Sequence, residues 1–202
     1  MQFYKPNPRV TGTGCGFKLS VKDNGVMVNF IRQSGWDDST KRGSFAGNMK
    51  DPKNTVSLKI NSIEMGEIIA CIRKKTSYST YHKSANQNLS IKFEPYMRGT
   101  KENPTEKVQV GYSLSVHKTA KENSQDKSSF VIGFSFGETV VLESYFLFCL
   151  SRIFDEEAYQ QSEKDKAYFA NRKSQQSVVE QQADGEAQQE GGTVPDPEGD
   201  DW

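Results

Sequence analysis

The chain has 202 residues, 34% of them hydrophobic, and its 26 basic and 26 acidic residues cancel. That length favours one domain plus an appendage, and three scattered cysteines with two histidines give neither a disulfide framework nor a zinc pattern. The longest apolar run, Tyr145–Leu150, is too short to cross a bilayer.

The opening residues lack the apolar core of a secretory signal. A soluble protein of a reducing cytoplasm is expected, the host cytoplasm if the chain is viral. Met1–Gly14 is polar, broken by Pro and Gly, and reads as an arm. Cys15–Val21 alternates strictly, with Cys15, Phe17, Leu19 and Val21 on one face and Lys18 and Lys22 on the other. This is the pattern of a half-buried strand. Asp23-Asn24-Gly25 is a tight-turn signal, and Val26–Arg32 returns as a second strand. A polar loop follows, SGWDDSTKRG, holding Trp36, Lys41 and Arg42. Ser44–Met49 reads as a third strand and Thr55–Ile60 as a fourth, with Val56, Leu58 and Ile60 inward.

A helix follows, opened by Asn61 with Glu64 three residues on, the spacing of a capping box. Met65, Ile68, Ile69 and Ile72 form its buried stripe. Arg73, Lys74 and Lys75 fall where cations suit the helix dipole. The pattern then repeats. Ser77–Lys83, Leu89–Met97, Val108–His117 and Phe130–Phe136 read as strands, and Glu138–Phe154 as a second helix. That helix is apolar over most of its circumference, so it needs cover on more than one side, and a homo-oligomer through Glu138–Phe154 is expected.

Asp155–Trp202 is polar and acidic. It has 13 acidic and 4 basic residues, whereas Met1–Phe154 has 22 basic and 13 acidic. Asp155–Ala183 fits a partly ordered polar helix, and disorder is expected beyond it. The domains read as 1–14 arm, 15–154 folded core and 155–202 acidic tail.

The fold class is therefore α+β, two tandem units of four antiparallel strands plus one helix. This order resembles the Whirly family of single-stranded-DNA-binding proteins, and one unit resembles the coactivator family called positive cofactor four. The first unit carries the coactivator likeness through Leu19-Ser20-Val21-Lys22-Asp23, Val26–Phe30, Ile31-Arg32-Gln33-Ser34-Gly35-Trp36, Lys41-Arg42 and Val56-Ser57-Leu58. Phe93-Glu94-Pro95 and the apolar helix after Phe134-Ser135-Phe136 are similar to Whirly proteins. The tail closing on Asp200, Asp201 and Trp202 is similar in style to tails of bacterial and phage single-stranded-DNA-binding proteins.

The resemblance implies a sequence-independent single-stranded-DNA-binding protein of replication, recombination or repair. Its tail would bind replication partners through Asp200, Asp201 and Trp202. An RNA-binding or transcription-regulating protein on the same fold is the alternative, and an interaction module a third. Lys18, Lys22, Arg32, Lys41, Arg42, Lys59 and Lys92 would meet phosphates, and Trp36 would stack on a base or else anchor its loop. Tyr78, Tyr81 and His82, with Lys83 beside them, form a second cluster, and Tyr96 with Arg98 a third. Outward lysines also suit any half-solvated sheet, and an acidic tail also confers solubility. The run GTGCG lacks the flanking strand and helix of a phosphate loop. No catalytic constellation has supporting context, so neither an enzyme nor a cofactor is expected.

Overall fold

The computed structural model describes residues 1–100, 105–121 and 127–187, with side chains of the last helix described through Arg172. The chain divides into two units, Met1–Phe154 and Asp155–Trp202. The first contains both sheets.

Sheet one has four antiparallel strands: β1 (Gln2–Lys5), β2 (Cys15–Lys22), β3 (Gly25–Arg32) and, later in the chain, β6 (Thr55–Asn61). They lie in the order β1-β2-β3-β6. Phe17, Leu19, Val28, Phe30, Leu58 and Ile60 are buried, as their period of two requires. Asp23, at φ 52°, helps turn β2 into β3, and Lys22 then pairs with Gly25.

Two expectations change here. Part of the N-terminal arm is a strand: Phe3 is buried opposite Phe17, and β1 is the fourth strand of the sheet. Ser44–Met49 is not a strand of that sheet. Arg42–Ser44 (β5) instead pairs with Gly35–Asp37 (β4) in a separate two-stranded ribbon, and Ala46–Asn48 is a 3-10 turn. Asn48 explains the switch. Its amide donates to Arg32 O (3.0 Å) and accepts from Asn54 Nδ2 (3.2 Å), so local side-chain bonds displace a ladder.

Helix α1 (Ser62–Lys74) has the capping box read from the sequence. Glu64 N donates to Asn61 Oδ1 (2.9 Å) and Asn61 N to Glu64 Oε2 (3.0 Å). Lys75 closes the helix in the left-handed conformation. Sheet two is a meander of β7 (Tyr78–Lys83), β8 (Gln87–Gly99), β9 (Lys107–Ala120) and β10 (Lys127–Ser135). Helix α2 begins at Phe136 and runs to Ala187, past the expected limit of Phe154 and slightly past Ala183. Ser135 and Glu138 cap it: Glu138 Oε2 accepts from Ser135 N at 2.8 Å. Of the stretch beyond Ala183 where disorder was expected, Asp184–Ala187 is helical, and the rest lies outside the described residues.

The inner faces of the sheets share one aromatic core. Phe134 meets Phe3 edge-on at 5.0 Å and Phe17 at 5.6 Å, and Phe30 meets Phe130 at 6.2 Å. The helices close this core. Leu142, Phe146, Cys149 and Ile153 of α2 are buried, as are Met65 and Ile68 of α1. Tyr112 Oη ties sheet two to the end of α1 by donating to Ile72 O (3.0 Å). With inner faces committed to the core, both outer faces remain available.

Candidate nucleic-acid interface

The outer face of sheet one presents the odd positions of β3 and the even positions of β2. Lys18, Asn29 and Ser57 stand in one cross-strand row, with Gln2 at its end. Ser57 Oγ donates to Asn29 Oδ1 at 2.6 Å, so the row is rigid and polar. Beside it Tyr4, Ile31, Phe45 and Met49 complete a concavity of about 470 Å³. The rings of Tyr4 and Phe45 meet edge-on at 5.3 Å, and Met49 is 68% exposed. Apolar groups at such exposure beside a free lysine form a surface that accepts flat rings and an anion.

The β4–β5 ribbon is pinned to this groove. Tyr4 Oη accepts from Gly43 N and donates to Gly43 O, both at 2.8 Å, and Gly43 is the residue paired with Trp36. Trp36 is half-buried, and its Nε1 donates to Asp38 Oδ1 at 3.1 Å. Arg42 is exposed opposite Asp37, and Lys41 sits in the turn at φ 54° beside Asp38 (3.5 Å). Asp37 organises the turn. Donation from the Ser39 and Thr40 hydroxyls, then from their backbone N–H groups, holds its carboxyl down at about 2.

The other expected residues separate. Lys22 is exposed at the end of β2. Lys59 faces outward, but its Nζ donates to Asn24 Oδ1 at 2.7 Å. Arg32 has the inward parity of Val28 and Phe30. It donates to Ser129 O, and its guanidinium lies 4.9 Å above the Phe130 ring, so it clamps the two sheets instead of facing a ligand. Tyr78, opposite Phe93, also packs against the core. Tyr81 is 51% exposed on the outer face of sheet two, with Lys83 Nζ 5.7 Å from its ring centre. Lys92 shares that face but pairs with Glu94 at 2.6 Å. Tyr96 and Arg98 line a different cleft. Asp200, Asp201 and Trp202 lie outside the described residues.

Tyr4, Phe45 and Met49 were not among the expected site residues. The signal for Tyr4 was its alternation with Phe3; Phe45 and Met49 come to the groove only through the 3-10 turn. All three cysteines are buried, and burial pushes the Cys15 thiol up to about 12. Among the described residues no three His, Cys, Asp or Glu side chains gather as a metal site, and no helix is long and apolar enough to cross a membrane.

No family model and no curated protein sequence matches this chain. Among solved structures it is similar to WHY1 from Arabidopsis thaliana, with TM-score 0.50 and 16% identity over 80% of this chain and 98% of that one. A guide-RNA-binding protein complex bound to a guide RNA aligns with TM-score 0.50 and 14% identity, over 75% of this chain and 88% of that one. The plant transcriptional regulator PBF-2 aligns with TM-score 0.49 and 14% identity, over 80% of this chain and 87% of that one. At such identities the likeness is one of fold, and the fold is Whirly-like.

Proposed function

We propose that this chain is a non-enzymatic binding protein for single-stranded nucleic acid, taken without base preference. The groove on the outer face of sheet one carries the proposal. It sets Tyr4, Phe45 and Met49 beside Lys18 on a rigid sheet, with Trp36 and Arg42 on a ribbon pinned to its rim. Rings stack on any base and cations follow any phosphate, so such a surface has no base code. The excess of 22 basic over 13 acidic residues in Met1–Phe154 supports it. The preferred reading is single-stranded DNA, in replication, recombination or repair. The likeness to a guide-RNA-binding complex favours the alternative, an RNA-binding or regulatory protein.

Titrating the full chain with labelled oligo-dT, oligo-rU and duplex at fixed salt separates these readings. Oligo-dT should bind best and duplex worst; tighter binding to duplex would sink the proposal. Trp36→Ala should weaken oligo-dT binding by about 1–3 kcal/mol, the worth of one base–aromatic stack. Unchanged affinity with an intact fold would make Trp36 a loop anchor.

The tail is proposed to compete with the strand and, once displaced, to offer Trp202 flanked by Asp200 and Asp201 to a basic, apolar-floored pocket on a replication or recombination protein. After Lys173 the chain has eight acidic residues and no basic one. Deleting Gly192–Trp202 should tighten strand binding at low salt, and the gain should vanish at high salt. No gain, together with an undiminished partner pull-down, would leave the tail a solubility device.

A further inference from the structure

A second cavity, of about 630 Å³, lies on the outer face of sheet two, beside β10 and the start of the chain. Lys5, Asn7, Tyr96, Arg98, Ser113 and Gly133 are among the residues that line it. Four features separate it from an ordinary surface hollow. Tyr96 is 43% exposed, and a side chain at Gly133 would crowd its ring, since a Cβ there would lie 3.3 Å from Cε1. The ring thus rests on bare backbone with the rest open to the cavity. Ser113, only 8% exposed, also lines the cavity and offers its hydroxyl to whatever enters there.

The third feature is a register break between Tyr96 and Met97, where Val110 of β9 is the extra residue. It is sustained by Gly111 at φ 154°, where a Cβ would stand 1.8 Å from Phe134 O, so only glycine fits. Bulges re-aim side chains and recur beside functional sites. The fourth is spacing. At about 3.3 Å per residue, Arg98 stands about 7 Å along β8 from Tyr96, the scale that separates a nucleotide's base from its phosphate.

We infer that this cavity holds one nucleotide, with its base on the face of Tyr96, the base edge hydrogen-bonded to Ser113 Oγ, and the phosphate at Arg98. The inference rests on the proposed function and deepens it: the sheet-one groove takes strand without reading it, whereas this cavity examines one base. Lys5 is already engaged by Glu138 and serves as a wall. Asn7 keeps its place by accepting from Arg9 N at 3.0 Å and donating to Thr13 Oγ1 at 2.8 Å.

The test uses the full-length chain and two kinds of probe: the four common nucleoside monophosphates and oligo-dT. At least one monophosphate should bind saturably in the millimolar range. Tyr96→Ala should weaken it about tenfold, Tyr96→Phe should not, and Arg98→Gln should weaken all four alike. Ser113→Ala should shrink the difference between bases and leave the weakest binder unchanged, an effect that a merely structural role does not produce. Because Tyr96→Ala removes a ring packed on Gly133, Arg98→Gln and Ser113→Ala are the decisive variants if it misfolds. Monophosphates that bind equally to the chain and to all these variants, or not at all, overturn the cavity while oligo-dT binding leaves the groove standing. Monophosphate binding without oligo-dT binding supports the cavity and overturns the groove.

Discussion

Phe134→Ala should lower the stability of the chain by about 3–5 kcal/mol, the cost of emptying a phenylalanine site in a packed core. Phe134 is fully buried and is the meeting point of three strands. It lies on β10 and touches Phe3 of β1 and Phe17 of β2. Each neighbour is held in its own backbone ladder, so the space cannot collapse without bending a sheet, which places the cost in the upper part of the range. At about 2–4 °C per kcal/mol for a chain of this size, the melting midpoint should fall by roughly 10 °C. Val131→Ala is the control, three residues earlier on the same strand but 52% exposed. It should move stability by less than about 0.5 kcal/mol. Thermal or urea unfolding followed by circular dichroism reads both. Equal shifts for the two variants would mean that the inner faces of the sheets do not share a core.

The strands that announced themselves were those whose alternation is local and complete. In Cys15–Val21 and Phe130–Phe136 every second residue is apolar, and each of these is buried except Val21, where the strand end is half-open, and Phe136, where α2 has begun. The α1 capping box needs only two residues three apart, and it formed as read. What escaped was set by partners distant in sequence. Gln2–Lys5 offers a single apolar inward residue, Phe3, and is followed by Pro6 and Pro8; only the ladder with Cys15–Lys18 makes it a strand. Arg32 shares the inward parity of Phe30, so its role was visible in the alternation, but an arginine was expected to leave the core for water. Phe130 and Ser129 O, nearly a hundred residues away, make the inward position favourable. Tyr78 is inward because it pairs with Phe93, a register no short window contains. The expected contacts dispersed over two outer faces for the same reason: composition counts cations and rings but does not say which sheet each one joins.

Phe148→Glu should dissociate the assembly that α2 is proposed to make and, with it, most of the affinity for long strands. On the first turns of α2 one side is buried through Leu142, Phe146, Cys149 and Ile153. Another side shows Val140 (61% exposed), Val141, Leu147, Phe148 (55%) and Phe154. Val140 and Leu147, Val141 and Phe148, and Leu147 and Phe154 are each seven residues apart, so they form a stripe along one side of the helix, the arrangement by which helices pair. A stripe of this kind left to water is a standing drive to associate. A glutamate at its centre would bury an unpaired carboxylate in each copy, costing about 3–5 kcal/mol, more than a small self-association survives at micromolar concentration. Because Phe148 is already exposed within one chain, the fold itself should be untouched. Light scattering should then report one chain's mass for the variant and a multiple of it for the unmodified protein. Linked copies bind a long strand at high effective concentration, so losing the linkage should weaken long oligo-dT by about 10²–10⁴. An oligonucleotide only long enough for one groove should bind both proteins alike. If the unmodified chain is already a monomer, or if the variant keeps its mass, the stripe does not join copies of this chain. If masses separate as expected but long-strand affinity holds, each copy binds on its own and assembly serves another end.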